Sequence, residues 1–67
     1  MSRLSARLAY FLFKNDIKKN VLAVELEVKP QTISNWLHKN RKPQILVARK
    51  LVDYTNGYIS LKDCGHE

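Results

Sequence analysis

Between Gln31 and His38 the chain carries five side chains able to pair with hydrogen-bonding edges: Gln31, Thr32, Ser34, Asn35 and His38. Amides and hydroxyls offer donors and acceptors side by side. Gln and Asn can bond adenine in bidentate fashion, and Thr presents a hydroxyl and a methyl group to thymine. The same stretch holds no arginine, so the commonest guanine contact is missing unless Lys29 or Lys39 bends in. A face of this kind suits the base edges of a DNA major groove, and otherwise serves only as a solvated surface.

Such side chains are useful only if something rigid presents them. Lys19 to His38, read KNVLAVELEVKPQTISNWLH, is two short amphipathic segments joined by a tight turn. The first puts Leu22 and Leu26 on one face, with Ala23 small enough beside them to let a second helix approach. The second, over Pro30 to about Lys39, opens on a proline whose fixed φ suits a first helical turn. Ile33, Trp36 and Leu37 fall at i, i+3 and i+4, which turns them inward and leaves the five polar residues outside. With Val28 in the turn, these spacings predict a helix-turn-helix.

The flanking chain supplies a core for it. Ser2 to Asn15 reads as a first helix, with Ser2 as N-cap and Leu4, Leu8, Phe11 and Leu12 as its buried stripe. Tyr10 and Phe13 either widen that stripe or form a second apolar patch. Arg3, Arg7 and Lys14 lie near phosphates or on a solvated face. A second helix is expected over about Lys18 to Glu27. Asn40 suits a left-handed helix end, and Arg41-Lys42-Pro43 makes a rigid basic loop. A fourth helix is expected over Gln44 to Asn56, with Ile45, Ala48, Leu51, Val52 and Tyr54 inward, Val47 in the core or on its flank, and Gly57 closing it. Tyr58 to Leu61 alternates as a short strand would, whereas Ser60 and Asp63 fit a capping box opening a short helix. Gly65-His66-Glu67 reads as a frayed tail.

Sixty-seven residues make a single domain, all-α, with four to five helices and one small core. Its net charge of +6 is unevenly placed. Nine basic and three acidic residues precede Gln44, so the whole excess lies in the half with the helix-turn-helix. A polyanion partner explains that economically. Lys18 and Lys19 at a helix N-terminus oppose the helix dipole, which a phosphate held there would reverse. Cys64, the one cysteine, fits a reducing cytoplasm. No apolar run reaches the roughly 20 residues of a membrane span, and Arg3 and Arg7 argue against a signal peptide. The scattered carboxylates suggest no enzyme and no small-molecule substrate. Cys64, His66 and His38 do not have metal-site spacing, and no cofactor is expected.

Leu22-Ala23, Val28, the run Thr32-Ile33-Ser34-Asn35-Trp36-Leu37 and the loop Asn40-Arg41-Lys42-Pro43 resemble the helix-turn-helix of phage Cro and lambda-repressor-like regulators, including the Cro/YdaS-like subgroup. A weaker likeness continues through Thr55 to Leu61. One departure is Glu27, which stands where the family's turn usually has glycine. The resemblance implies a repressor of transcription in a bacterial or phage-infected cytoplasm, bound to a pseudo-palindromic operator. It places Gln31, Thr32 and Asn35 first among base contacts, with Ser34 and His38 next. Phosphates would meet Lys18, Lys19, Lys29, Lys39, Arg41 and Lys42. One such module makes few contacts, so a homodimer, weak or completed on DNA, is expected. Tyr54, Tyr58, Ile59 and Leu61, in the neutral half, are the interface candidates. The resembling subgroup commonly ends in a short helix and other Cro proteins in strands. An antitoxin-like regulator of the same fold is the alternative within DNA binding; a protein-interaction module is the alternative outside it.

Overall fold

The expected stripes become helices whose ends shift by one or two residues. A computed structural model describes residues 3–66. In it α1 spans Arg3–Lys14, α2 Lys19–Leu26, α3 Pro30–His38 and α4 Ile45–Tyr54. Among the described residues there is no strand. Ser2, the expected first N-cap, lies outside them.

The four-residue spacing of Leu4, Leu8 and Leu12 puts all three on one face of α1, and all three are buried. Phe11, expected with them, is only half-buried at the flank. Ser5 is buried instead, and its hydroxyl donates to the Trp36 carbonyl at 2.6 Å. A polar group inside this core is thereby satisfied, and α1 is tied to α3. On α2, Leu22, Ala23 and Leu26 are buried, while Val21 and Val24 face outward. Helix α3 packs against both α1 and α2, and α2 also meets α4. Ile33, Trp36, Ala48 and Leu51 fill the centre, closed from below by Ile59 and Cys64. Ile45, expected inward, is 39% exposed because α4 begins there at the surface, and Val47 takes the half-buried place beside the core.

Three helices, α1, α2 and α4, stop by one recurrent device. At the end of α1 the Ile17 N–H reaches the Leu12 carbonyl at 2.9 Å, and Asp16 N–H reaches Phe13 at 3.2 Å. Val28 and Glu27 repeat the pattern on Ala23 (2.9 Å) and Val24 (3.1 Å) after α2. Gly57 and Asn56 repeat it on Val52 (2.9 Å) and Asp53 (3.1 Å) after α4. Each pair is a Schellman closure that satisfies otherwise orphaned carbonyls and needs a left-handed residue. Those residues are Asp16 (φ 53°), Glu27 (φ 58°) and Asn56 (φ 53°). Asn56 rather than Gly57 therefore takes the left-handed C′ place, one residue beyond the Thr55 cap of α4. Ile17 and Val28, the second residues of their closures, pack against the core and fix the exit angle.

Glu27 stores strain, since a side chain in the left-handed region costs about 1–3 kcal/mol. Among the described residues its ion pair is an exposed one, 3.5 Å to Lys50, worth about 0–1 kcal/mol. Glu27→Gly is expected to stabilise the domain by about 0.5–1 kcal/mol after the greater freedom of the unfolded glycine is subtracted. A thermal melt checks this. A lowered midpoint would mean that the Lys50 pair outweighs the strain.

Residues 58–66 are neither the short helix nor the short strand that the sequence allowed. They form a single capped turn. The Ser60 N–H donates to Asp63 Oδ2 at 3.0 Å and the Asp63 N–H to Ser60 Oγ at 3.1 Å, so the expected capping box is present. It opens only one turn because Gly65 (φ 84°) closes it at once. The His66 N–H bonds Leu61 at 2.8 Å and Gly65 N–H bonds Lys62 at 3.0 Å. Gly65 and His66 are thus held in place, not frayed as expected; Glu67 lies outside the described residues. Cys64 sits in the core, where burial, with the Asp63 charge adding, pushes its thiol up to about 11. At neutral pH it is a protonated packing group rather than a nucleophile.

Candidate nucleic-acid interface

Helix α3 begins with Pro30 after an extended Lys29 (φ −81°, ψ 149°) and runs until Lys39. Burying Ile33 and Trp36 fixes its rotation. At about 100° per residue, Gln31, Asn35 and His38 then form the outward ridge, with Thr32 and Ser34 on opposite shoulders. Gln31 and His38 are exposed, and Thr32, Ser34 and Asn35 are half-buried. The Gln31 side-chain amide donates to Asn35 Oδ1 at 3.2 Å, holding the two amides one turn apart as a unit. On one shoulder Lys19 of α2 donates to Ser34 Oγ at 3.0 Å. On the other, Thr32 and Asn35 face Arg41 and Lys42 across a shallow groove floored by Trp36 and Pro43.

The basic residues frame this ridge. Lys18 occupies the extended position before α2 and Lys29 the one before α3, and neither helix has a side-chain cap on its first N–H groups. Lys39 follows the last turn of α3, and Asn40 takes the left-handed conformation expected of it (φ 51°). The Arg41 N–H then returns to the Asn35 carbonyl at 3.3 Å, so the basic loop leaves from beside the polar ridge of α3. Lys18, Lys19, Lys29, Lys39, Arg41 and Lys42 are all exposed. Among the described residues the cations in ion pairs are Arg3, Arg7 and Lys50. Six positive charges around the ridge therefore have no carboxylate on them. Such a surface attracts polyanions.

Arg3 and Arg7, by contrast, are turned away from that role. Both reach Asp63, at 2.7 Å and 3.6 Å, and the Asp63 side chain is only 3% exposed. Arg7 also donates to the Tyr58 carbonyl at 3.0 Å and lies 5.0 Å over the Tyr58 ring. Lys14 lies 5.7 Å over Tyr10. Sequence reasoning found the Ser60–Asp63 box but missed this use of the same carboxylate. The two basic residues one helical turn apart at Arg3 and Arg7 carry a faint signal; their partner 56 or more residues away carries none.

The four interface candidates fare differently. Ile59 is a correction: it is 0% exposed, a core residue whose N–H is taken by the buried Thr55 hydroxyl at 3.2 Å. The left-handed Asn56 and Gly57 swing the chain back onto the core, so the apolar residue two places on goes in, not out. Tyr54 is half-buried with its ring edge-on to Phe11 at 6.2 Å. Tyr58 stacks on Phe11 at 6.1 Å and keeps 37% of its surface exposed. Leu61 is half-buried against the core. The larger exposed apolar side chains are elsewhere, with Phe13 86%, Val24 76% and Leu46 69% exposed.

One curated protein resembles the chain. It is an uncharacterized HTH-type transcriptional regulator, YvzC, of Bacillus subtilis (strain 168), 39% identical over 46 residues. That alignment takes in 69% of this chain, which spans 60% of the relative's length. No protein-family model matches the sequence, and no solved structure matches it. No helix is long and apolar enough to cross a membrane, and no group of three or more His, Cys, Asp or Glu side chains gathers as a metal site, among the described residues.

Proposed function

We propose that this protein is a transcriptional regulator that binds double-stranded DNA, laying α3 in the major groove. The observation that carries the reading is the juxtaposition on one surface of a rigid amide-and-hydroxyl ridge and six uncompensated cations. Gln31, Thr32 and Asn35 take the base edges, with Ser34 and His38 at the margins. Lys18, Lys19, Lys29, Lys39, Arg41 and Lys42 take the phosphates on either side. The positive dipole ends of α2 and α3, which no side chain caps, add to that attraction. The relative's name, a regulator of the helix-turn-helix type, supports the same class. The finer reading is a Cro-like repressor in the cytoplasm, acting as a homodimer on a pseudo-palindromic operator. Half-sites would lie about one helical turn of DNA apart. With Ile59 buried, the exposed parts of Tyr54, Tyr58 and Leu61 make up the proposed dimer surface.

Fluorescence anisotropy on the DNA upstream of the protein's own gene, against a shuffled duplex and across salt, tests this. Tenfold or greater preference with a steep salt slope and two chains per site is the expected result. Absence of binding to either duplex at low salt would sink it. Within the same assay, Asn35→Ala is expected to lower specific affinity by about 1–3 kcal/mol and leave shuffled-duplex binding nearly unchanged. Equal loss on both duplexes would move Asn35 from base reading to backbone contact.

A further inference from the structure

The C-terminal turn ends on the basic loop. His66 Nε2 lies 2.8 Å from the Pro43 carbonyl oxygen and donates to it. A Cβ on Gly65 would lie 2.9 Å from Lys42 Cδ, so the Lys42 stem runs directly across the bare backbone of Gly65. Pro43 itself is buried beneath. The turn that makes these contacts is fixed at its other end. Ile59 and Cys64 are in the core, and Asp63 is paired with Arg3 and Arg7 of α1.

We infer that Gly65 and His66 are positioning residues for the Arg41–Lys42 phosphate clamp. The inference rests on the DNA-binding reading above for its consequence, though not for its geometry. Between α3 and α4 the loop has no regular structure of its own. Left to itself, this six-residue segment, Lys39 to Gln44, would have to be ordered by the duplex at each encounter. The brace from Pro43 to the core does that ordering beforehand, and preorganisation is what raises affinity without a new contact. Glycine at position 65 serves two ends, the left-handed φ that closes the turn and the space that Lys42 crosses. The C-terminal turn is thus part of the interface without touching DNA.

Three variants decide it: His66→Ala removes the donor, His66→Gln supplies an N–H that can reach the same carbonyl, and Lys42→Ala marks the loss of the clamp's own charge. Two readouts are taken, binding to a shuffled duplex across salt and the backbone 15N relaxation of Arg41, Lys42 and Gln44 in the free protein. For His66→Ala the expected result is about a three- to tenfold loss of affinity. The loop amides gain mobility, the helical circular dichroism stays unchanged, and His66→Gln returns both readouts toward the parent. Unaltered relaxation and affinity in His66→Ala, with Lys42→Ala still weakening binding, would overturn the brace. If the parent protein bound no duplex, the DNA reading would fall, and the relaxation data alone would still uphold or overturn the brace.

Discussion

Ile33→Ala is expected to take the largest share of the domain's stability that any single substitution removes, and to lower its urea midpoint sharply. Ile33 is 0% exposed on the helix that packs against both α1 and α2. Removing so much of a buried aliphatic side chain costs about 2–5 kcal/mol, the upper range where neighbours cannot collapse into the gap. Here the gap would be walled by three helices. Net stability at roughly 0.05–0.15 kcal/mol per residue gives a chain of this size only about 3–10 kcal/mol in all. A small domain buries too little surface to absorb the loss elsewhere. Urea denaturation followed by Trp36 fluorescence measures it, with Ile33→Val as the graded control at about 0.5–1.5 kcal/mol. A loss below about 1 kcal/mol for the alanine variant would mean that α3 is not seated as described. Duplex binding should fall with the folded fraction and not beyond it, since Ile33 faces away from the ridge.

The second large effect is expected from a polar residue. Asp63→Ala removes a carboxylate whose side chain is 3% exposed and which accepts the Ser60 N–H. A hydrogen bond to a charged group contributes about 1.5–3 kcal/mol, and a buried donor left without its acceptor adds to the loss. The arginine pairs contribute less, because Arg3 and Arg7 are 63% and 37% exposed and can turn to water. A total near 2–3 kcal/mol follows, which at roughly 4–8 °C per kcal/mol for a domain of this size lowers the melting midpoint by about 10–20 °C. Asp63→Asn keeps the shape and an acceptor oxygen and should fall between. A drop of under 2 °C for the alanine variant would show that the turn holds α1 by Ile59 and Cys64 alone.

These two residues also mark how far the sequence could be read. The i, i+3, i+4 pattern around Ile33 is a local property of one helix, so α3 and its polar ridge were legible from spacing alone. The left-handed backbone at Glu27 was legible only through the resemblance, which implies glycine at that place in the turn. Asp63 shows the limit. Its capping box is local and was visible, but its pairing with Arg3 and Arg7 depends on where the chain goes after Gly57. That course is set by Asn56, whose left-handed conformation turns Ile59 inward against the surface role expected of it. Ser5 was illegible for a similar reason. A serine in an apolar stripe reads as solvent-facing until a carbonyl 31 residues away is seen to receive it. Likewise His66 gave no sign of reaching Pro43, since neither residue's neighbours in sequence carry the geometry.

The buried thiol has a consequence for the motions of the molecule. With Cys64 1% exposed and its pKa raised to about 11, alkylation at neutral pH must wait for an opening that both bares the sulfur and relaxes its pKa. The C-terminal turn thus carries an internal clock. When alkylation of the open form is faster than reclosing, the rate of modification reports the opening rate; when slower, it reports the free energy of the open state. An opening confined to residues 58–66 would release Arg3, Arg7 and the Pro43 carbonyl together, so the buried sulfur times the loosening of the Arg41–Lys42 loop that the turn touches.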